Sequence, residues 1–249
     1  MTGLGVDVRP PPRFRQTCAL GVEKRAHGRW SDSLGEKRKF LTVAALLPAL
    51  LFAGPVLAHP HVWVTAKEKI LFGPGGKIVG FRHQWTFDEM YSAFATQGLG
   101  KDGKPPTKEE LAPLARTNVE SLKEFQYFTV AKTGPKYYEF GPPRDYELTA
   151  DDKKIVTLRF TLPLKEPVSV NKPFVFMVYD PTYFVDFELA KDHPVALENA
   201  PPGCSVNNLR PDPLSEPDTK KLSESFFSGL SPGADFGVKL APRTIVACP

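Results

Sequence analysis

The sequence predicts a mainly β (α+β) protein: an antiparallel β-sandwich with a two-helix, EF-hand-like insertion. Three observations carry that expectation. Apolar and polar residues alternate on both sides of Gly73-Pro74-Gly75-Gly76, the signature of a strand hairpin. Residues 88–125 abandon the alternation for helical spacing. From Tyr127 onward short apolar runs return, divided by Pro and Gly as in an antiparallel stack.

His61–Phe72 and Lys77–Phe87 are the hairpin strands. With Gly73 set opposite Gly76, His61 faces Asp88, Ala66 faces His83 and Ile70 faces Val79. One face is then apolar (Val62, Val64, Ala66, Ile70 with Val79, Phe81, Trp85, Phe87) and the other polar, so turn and pattern agree. Asp88–Gln97 predicts a short helix with Met90, Tyr91 and Phe94 on one side. Thr107–Phe125 predicts a second, opened by a Thr107/Glu110 capping box and striped by Leu111, Leu114, Val119 and Leu122. Further strands are expected at Tyr127–Lys132, Lys136–Phe140, Arg144–Thr149, Lys153–Leu162, Phe174–Tyr179 and Tyr183–Leu189. A weak helix around Lys220–Phe227 and a last strand, Thr244–Cys248, close the chain.

The N-terminal sixty residues read differently. Lys37-Arg38-Lys39, the apolar run from Phe40 to Ala53 and Gly54-Pro55-Val56-Leu57-Ala58 follow the order of a secretory signal peptide cut before His59. A membrane anchor is the other reading, but Pro48, Gly54 and Pro55 interrupt the run and leave it short of the roughly 20 residues a span needs. The expected organisation is therefore a leader at 1–33, a signal peptide at 34–58 and one periplasmic β-rich domain at 59–249, with its helical insertion at about 88–125. The first 58 residues hold nine of the 32 Lys/Arg and four of the 28 Asp/Glu, leaving 23 and 24. That near-neutral remainder gives no reason to expect a nucleic-acid partner. Cys204 and Cys248 are the only cysteines after residue 58, and in an oxidising compartment they are expected to pair.

Four histidines fall in this domain: His59, His61, His83 and His193. A terminal His59 could chelate through its α-amine and ring together, and His61 would stand two positions on. With Asp88 opposite His61 in the hairpin, two imidazoles and a carboxylate would suit zinc, with nickel, cobalt or copper also open. The alternative is a solvated, frayed terminus. His83 lies on the apolar face, diagonal to Glu68, and is either a core histidine satisfied by that carboxylate or, if a bulge shifts the strand, a further metal ligand. His193 sits in an ordinary turn and is a more remote candidate for a copper brace. Gly98–Glu109 aligns with a twelve-residue calcium loop, with Asp102 in the fifth place, Gly103 at the sharp turn and Glu109 in the last. Gly98 and Gly100 occupy places that normally hold acidic ligands, so the shape is expected without calcium binding. Tyr179-Asp180-Pro181-Thr182-Tyr183-Phe184 is a tight turn packed on the core or an aromatic binding edge. With no nucleophile–base pairing, phosphate loop or Cys-x-x-Cys, the chain is not expected to be an enzyme.

Four blocks carry a resemblance: His59-Pro-His-Val-Trp-Val, Phe81-Arg-His-Gln-Trp-Thr-Phe-Asp-Glu-Met, Phe140-Gly-Pro-Pro-Arg-Asp-Tyr and Val178-Tyr-Asp-Pro-Thr-Tyr-Phe. In order, they resemble the bacterial family called domain of unknown function 1007, described as a periplasmic component of an ABC-type transport system. The resemblance implies transition-metal handling beside a membrane permease of the nickel/cobalt type, with membrane contact only through that partner. It also shows two departures. Relatives commonly carry a second histidine where this chain has Gln84, and a more acidic calcium-type loop. Copper carriage by a terminal-histidine brace and a metal-free structural subunit of a transporter are the competing expectations.

Overall fold

The computed structural model describes residues 61–211 and 235–249. The signal peptide, His59 and the helix expected at 220–227 lie outside those residues. Among the described residues no helix is long and apolar enough to cross a membrane.

The described residues are mainly β, with two sheets and two α-helices. The first sheet contains β1 (Val62–Gly73), β2 (Lys77–Phe87), β5 (Arg144–Ala150), β6 (Val156–Ser169), β8 (Val185–Leu189) and β9 (Val195–Glu198). Its order is β5-β6-β2-β1-β8, with β9 also on β1. The second contains β3 (Thr129–Thr133), β4 (Lys136–Tyr137), β7 (Phe174–Val178), β10 (Ser205–Leu209) and β11 (Arg243–Ala247), in the order β10-β11-β7-β3-β4. Helices α1 (Glu89–Ala95) and α2 (Lys108–Leu122) lie between β2 and β3, where the insertion was expected. Strands β9 and β10 were not anticipated; they are short and lie among Pro, Gly and Asn.

The first sheet is not wholly antiparallel. β8 runs parallel to the first half of β1 (Val62↔Val185 to Ala66↔Leu189), and β9 runs parallel to the second half (Glu68↔Val195 to Leu71↔Glu198). The chain leaves β7 in the second sheet, crosses through residues 179–184 and enters the first sheet beside the start of β1. That crossover fixes the direction of β8.

The hairpin register also differs from the expected one, by two separate steps. Gly73 pairs with Lys77, not Gly76, because Pro74–Gly76 form a three-residue 3-10 turn. A bulge then leaves Val79 without a partner, and Leu71 pairs with Gly80. One slip swaps the faces and a second restores them. Between the two steps Ile78 is buried and Val79 is not; beyond them Phe81, His83 and Trp85 point inward as expected. Glycine is required at the bulge, since a Cβ on Gly80 would lie 2.6 Å from the Leu162 carbonyl oxygen.

The two sheets share one core. Phe81 of β2 stacks on Phe176 of β7 with ring centroids 4.6 Å apart, and Trp85 packs edge-on against Phe187 at 4.9 Å. Each buried aromatic of this kind contributes about 2–3 kcal/mol. The α2 capping box forms as the sequence predicts: Thr107 N–H donates to Glu110 Oε2, and Glu110 N–H to Thr107 Oγ1. Leu111, Ala115 and Val119 bury the inner face of α2. On α1 the expected apolar side divides. Tyr91 stacks on Phe87, whereas Met90 and Phe94 point away from the core.

Candidate functional site

The pairings bring several chain segments to one end of the two sheets. β1 starts there, antiparallel β2 ends there, and parallel β8 starts there. β7 ends there too, opposite the start of β3. The residues singled out in the sequence at 61, 88 and 179–184 are thereby neighbours.

His61 is exposed at this rim. Its backbone N–H donates to the Phe184 carbonyl at 2.9 Å, and its ring packs at a tilt of 34° against the Phe184 ring, centroids 4.8 Å apart. Asp88 does not face it. The two register steps place Asp88 opposite Trp63: the Asp88 N–H donates to the Trp63 carbonyl, and Asp88 Oδ2 accepts the Trp63 N–H at 2.9 Å. Asp88 Oδ1 accepts the Tyr91 N–H at 2.9 Å, so the same carboxylate is the N-cap of α1. Its chemistry is that of a clamp between hairpin and helix.

Two carboxylates that the sequence reading missed stand beside β1: Asp186, paired with Trp63, and Glu188, paired with Thr65. Burial, and then the charge of Glu188, push the Asp186 carboxyl above its usual range. The Tyr183 hydroxyl stands 3.4 Å from Asp186 Oδ2, and burial followed by the Asp186 charge pushes that phenol up to about 12. Only the parallel pairing of β8 with β1 shows this grouping, and no local signal in the sequence announces it.

Residues 179–184 form a turn packed on the core, organised by Asp180. This side chain is buried; Oδ1 accepts the Thr182 N–H and hydroxyl, and Oδ2 accepts the Val185 N–H. Gly237 presses on the same turn, where any Cβ would overlap the Asp180 carbonyl.

His83 points into the core. It sits directly opposite Glu68, and neither side chain is exposed. His83 Nδ1 lies 2.7 Å from Glu68 Oε2, off the line of a straight hydrogen bond, while Glu68 Oε1 accepts the Trp85 indole N–H at 3.0 Å. The ring stacks on Phe160 at 4.5 Å, and Nε2 has no hydrogen-bond partner. The expected Glu68 partnership is present, and the bulge in β2 does not turn His83 toward His61. Among the described residues no three His, Cys, Asp or Glu side chains are grouped to hold a metal ion.

In the 98–109 loop, Asp102 and Glu109 are both exposed. Glu109 belongs to the first turn of α2, and Asp102 adopts a left-handed conformation (φ 53°) just before Gly103. Cys204 and Cys248 form a disulfide across 44 residues, next to the Ser205↔Ala247 end of the β10–β11 ladder.

A family model described as "Protein of unknown function (DUF1007)" matches residues 44–248. The chain belongs to the DUF1007 family. An "Uncharacterized protein" of Haemophilus influenzae is 24% identical over 210 residues, covering 82% of this chain and 98% of the relative. An "Uncharacterized 15.5 kDa protein in trpE 3'region" of Spirochaeta aurantia is 32% identical over 121 residues, covering 49% of this chain and 79% of that relative. The DUF1007 match takes in both sheets, both helices and the rim around His61.

Proposed function

We propose that this DUF1007 protein is a periplasmic accessory protein of a transition-metal transport system, which binds one divalent ion and passes it to a membrane permease. Zn²⁺ is the preferred cargo, with Ni²⁺ and Co²⁺ next. The supporting observation is His61, an exposed imidazole at the rim from which Asp186 and Glu188 extend along the neighbouring strand. Imidazole and carboxylate together suit these ions. Burial first, and the Glu188 charge second, raise Asp186; a bound cation would offset that charge, so binding and deprotonation reinforce each other.

In this reading His59, two residues before His61, is the second nitrogen donor and Asp186 supplies the carboxylate. Asp88, whose two oxygens each hold a backbone N–H, orders the rim without ligating. His83 is sealed in the core and serves the fold. An open rim suits cargo, because an ion that must be handed on has to be reached by the acceptor. The two sheets are read as a β-sandwich scaffold, and the helix–loop–helix as EF-hand-shaped without calcium.

Calorimetric titration of the metal-stripped protein with Zn²⁺ tests the proposal. One equivalent should bind to the wild type. His61→Ala should abolish stoichiometric binding and Asp186→Asn weaken it, with melting temperatures unchanged. Wild-type binding by His61→Ala would reject the site.

A further inference from the structure

Between α2 and β5, the edge strand of the first sheet, runs an open groove of about 290 Å³. Its size is near the lower bound of small-molecule sites, and like them it has an apolar floor and a few polar groups. Ala112 and Ala115 of α2 and Leu148 of β5 form the floor.

A backbone irregularity aims an aromatic ring at this groove. Arg144 pairs with Thr161 and Glu147 with Arg159, so Asp145 and Tyr146 together stand against Phe160 alone. Asp145 takes a left-handed conformation at this bulge (φ 53°), which is uncommon outside glycine. Tyr146 is left 38% exposed on the groove wall, and among the described residues its hydroxyl has no hydrogen-bond partner. Bulges on edge strands re-aim side chains in this way beside binding sites.

The charges lining the groove leave one cation unmatched. Lys108 Nζ lies 2.6 Å from Glu147 Oε2, and Arg159 stands 3.6 Å from the other oxygen of Glu147. The Glu109 carboxylate turns back to its own N–H and to Thr107 at the helix start, contacts that hold it below the usual range. Just outside, Arg144 pairs with Asp145 at 3.8 Å. Arg116 lines the same groove and pairs neither with Glu120, one turn along α2, nor with any other described residue. A free guanidinium holds a carboxylate through two parallel hydrogen bonds, and an aromatic ring is suited to Tyr146 and the alanine floor.

We infer that the α2–β5 groove binds a small aromatic carboxylate, with its anion on Arg116 and its ring between Tyr146 and the Ala112–Ala115 floor. The inference does not depend on metal binding at His61.

The test titrates the full chain, in chelator, with phenylacetate and follows the amide shifts. Binding should saturate at one-to-one, with shifts confined to residues around 108–116 and 146–148. Phenethylamine, which reverses the charge, and acetate, which lacks the ring, should each bind at least about tenfold more weakly. Arg116→Gln should weaken phenylacetate about tenfold and leave phenylacetamide unchanged. Ala112→Leu, at an exposed position and with a good helix former, should fill the groove and weaken phenylacetate by a similar factor without lowering the melting temperature. Equal binding of phenethylamine or acetate, shifts that map elsewhere, or indifference to both substitutions would overturn the inference. So would the lack of any saturable shift up to about 20 mM phenylacetate, since a ligand of this size in a fitting site binds more tightly than that.

Discussion

His83 Nδ1 lies 2.7 Å from Glu68 Oε2, in a part of the core where neither side chain reaches solvent. The same carboxylate accepts the Trp85 indole N–H, so two side chains of β2 depend on one acid of β1. Removing one member of such a pair leaves the other buried and uncompensated, which costs about 3–5 kcal/mol. Glu68→Ala is expected to lower the urea unfolding free energy by that order. Replacing Glu68 and His83 together with Leu should recover most of it. A double variant as unstable as the single one would show that the pair itself holds the core.

Asp88 ties the start of β1 to the start of α1 through two hydrogen bonds to backbone N–H groups. Asp88→Ala removes both acceptors and should cost about 1–2 kcal/mol in chemical denaturation. The zinc stoichiometry measured alongside should stay at one. A loss of zinc binding with unchanged stability would return Asp88 to the ligand set.

Glu198 anchors β9 across the hairpin, accepting from Arg82 at 2.8 Å and Lys69 at 3.3 Å. The Arg82 hydrogen bond foremost, then Lys69, holds its carboxyl below the usual range. A carboxyl depressed in the folded state contributes stability above its unfolded pKa and loses it as pH falls through the folded value. Wild type should therefore lose more stability than Glu198→Gln between about pH 5 and about pH 3. The difference should stay within about 1 kcal/mol because the group is partly open to solvent. Parallel acid-titration melts of the two proteins measure it, and parallel curves would deny the ion pair any role.

The Cys204–Cys248 bridge closes a 44-residue separation. In the chain-entropy picture a loop of that size stabilises by about 4 kcal/mol. Reduction, or the double Cys→Ser variant, should lower the unfolding free energy by that order, and hydrogen exchange should open first along β10 and β11. An unchanged melting temperature under reductant would show that the ladder closes without the bridge.

The local features were legible in the sequence because they depend on residues a few positions apart. The faces of β1 and β2, the capping box at Thr107 and Glu110, the position of the helices between the second and third strands, and the buried Glu68–His83 partnership all follow from period and composition. Even the wrong register kept the faces right, because two one-residue steps cancel in a period of two. What the error changed was longitudinal: it moved Asp88 from His61 to Trp63.

Tertiary structure alone decided which distant segments meet. Nothing in Val185–Leu189 or Val195–Glu198 says that these strands lie parallel along β1. That arrangement follows from the crossover at 179–184, pinned by the buried Asp180 and the close approach of Gly237. It brings Asp186 and Glu188 alongside β1 and sets His61 against Phe184. The sequence by itself determined which residues prefer strand, helix, turn and core, since those are local free energies. The composition of the rim is a sum of long-range pairings, and only the folded chain evaluates that sum.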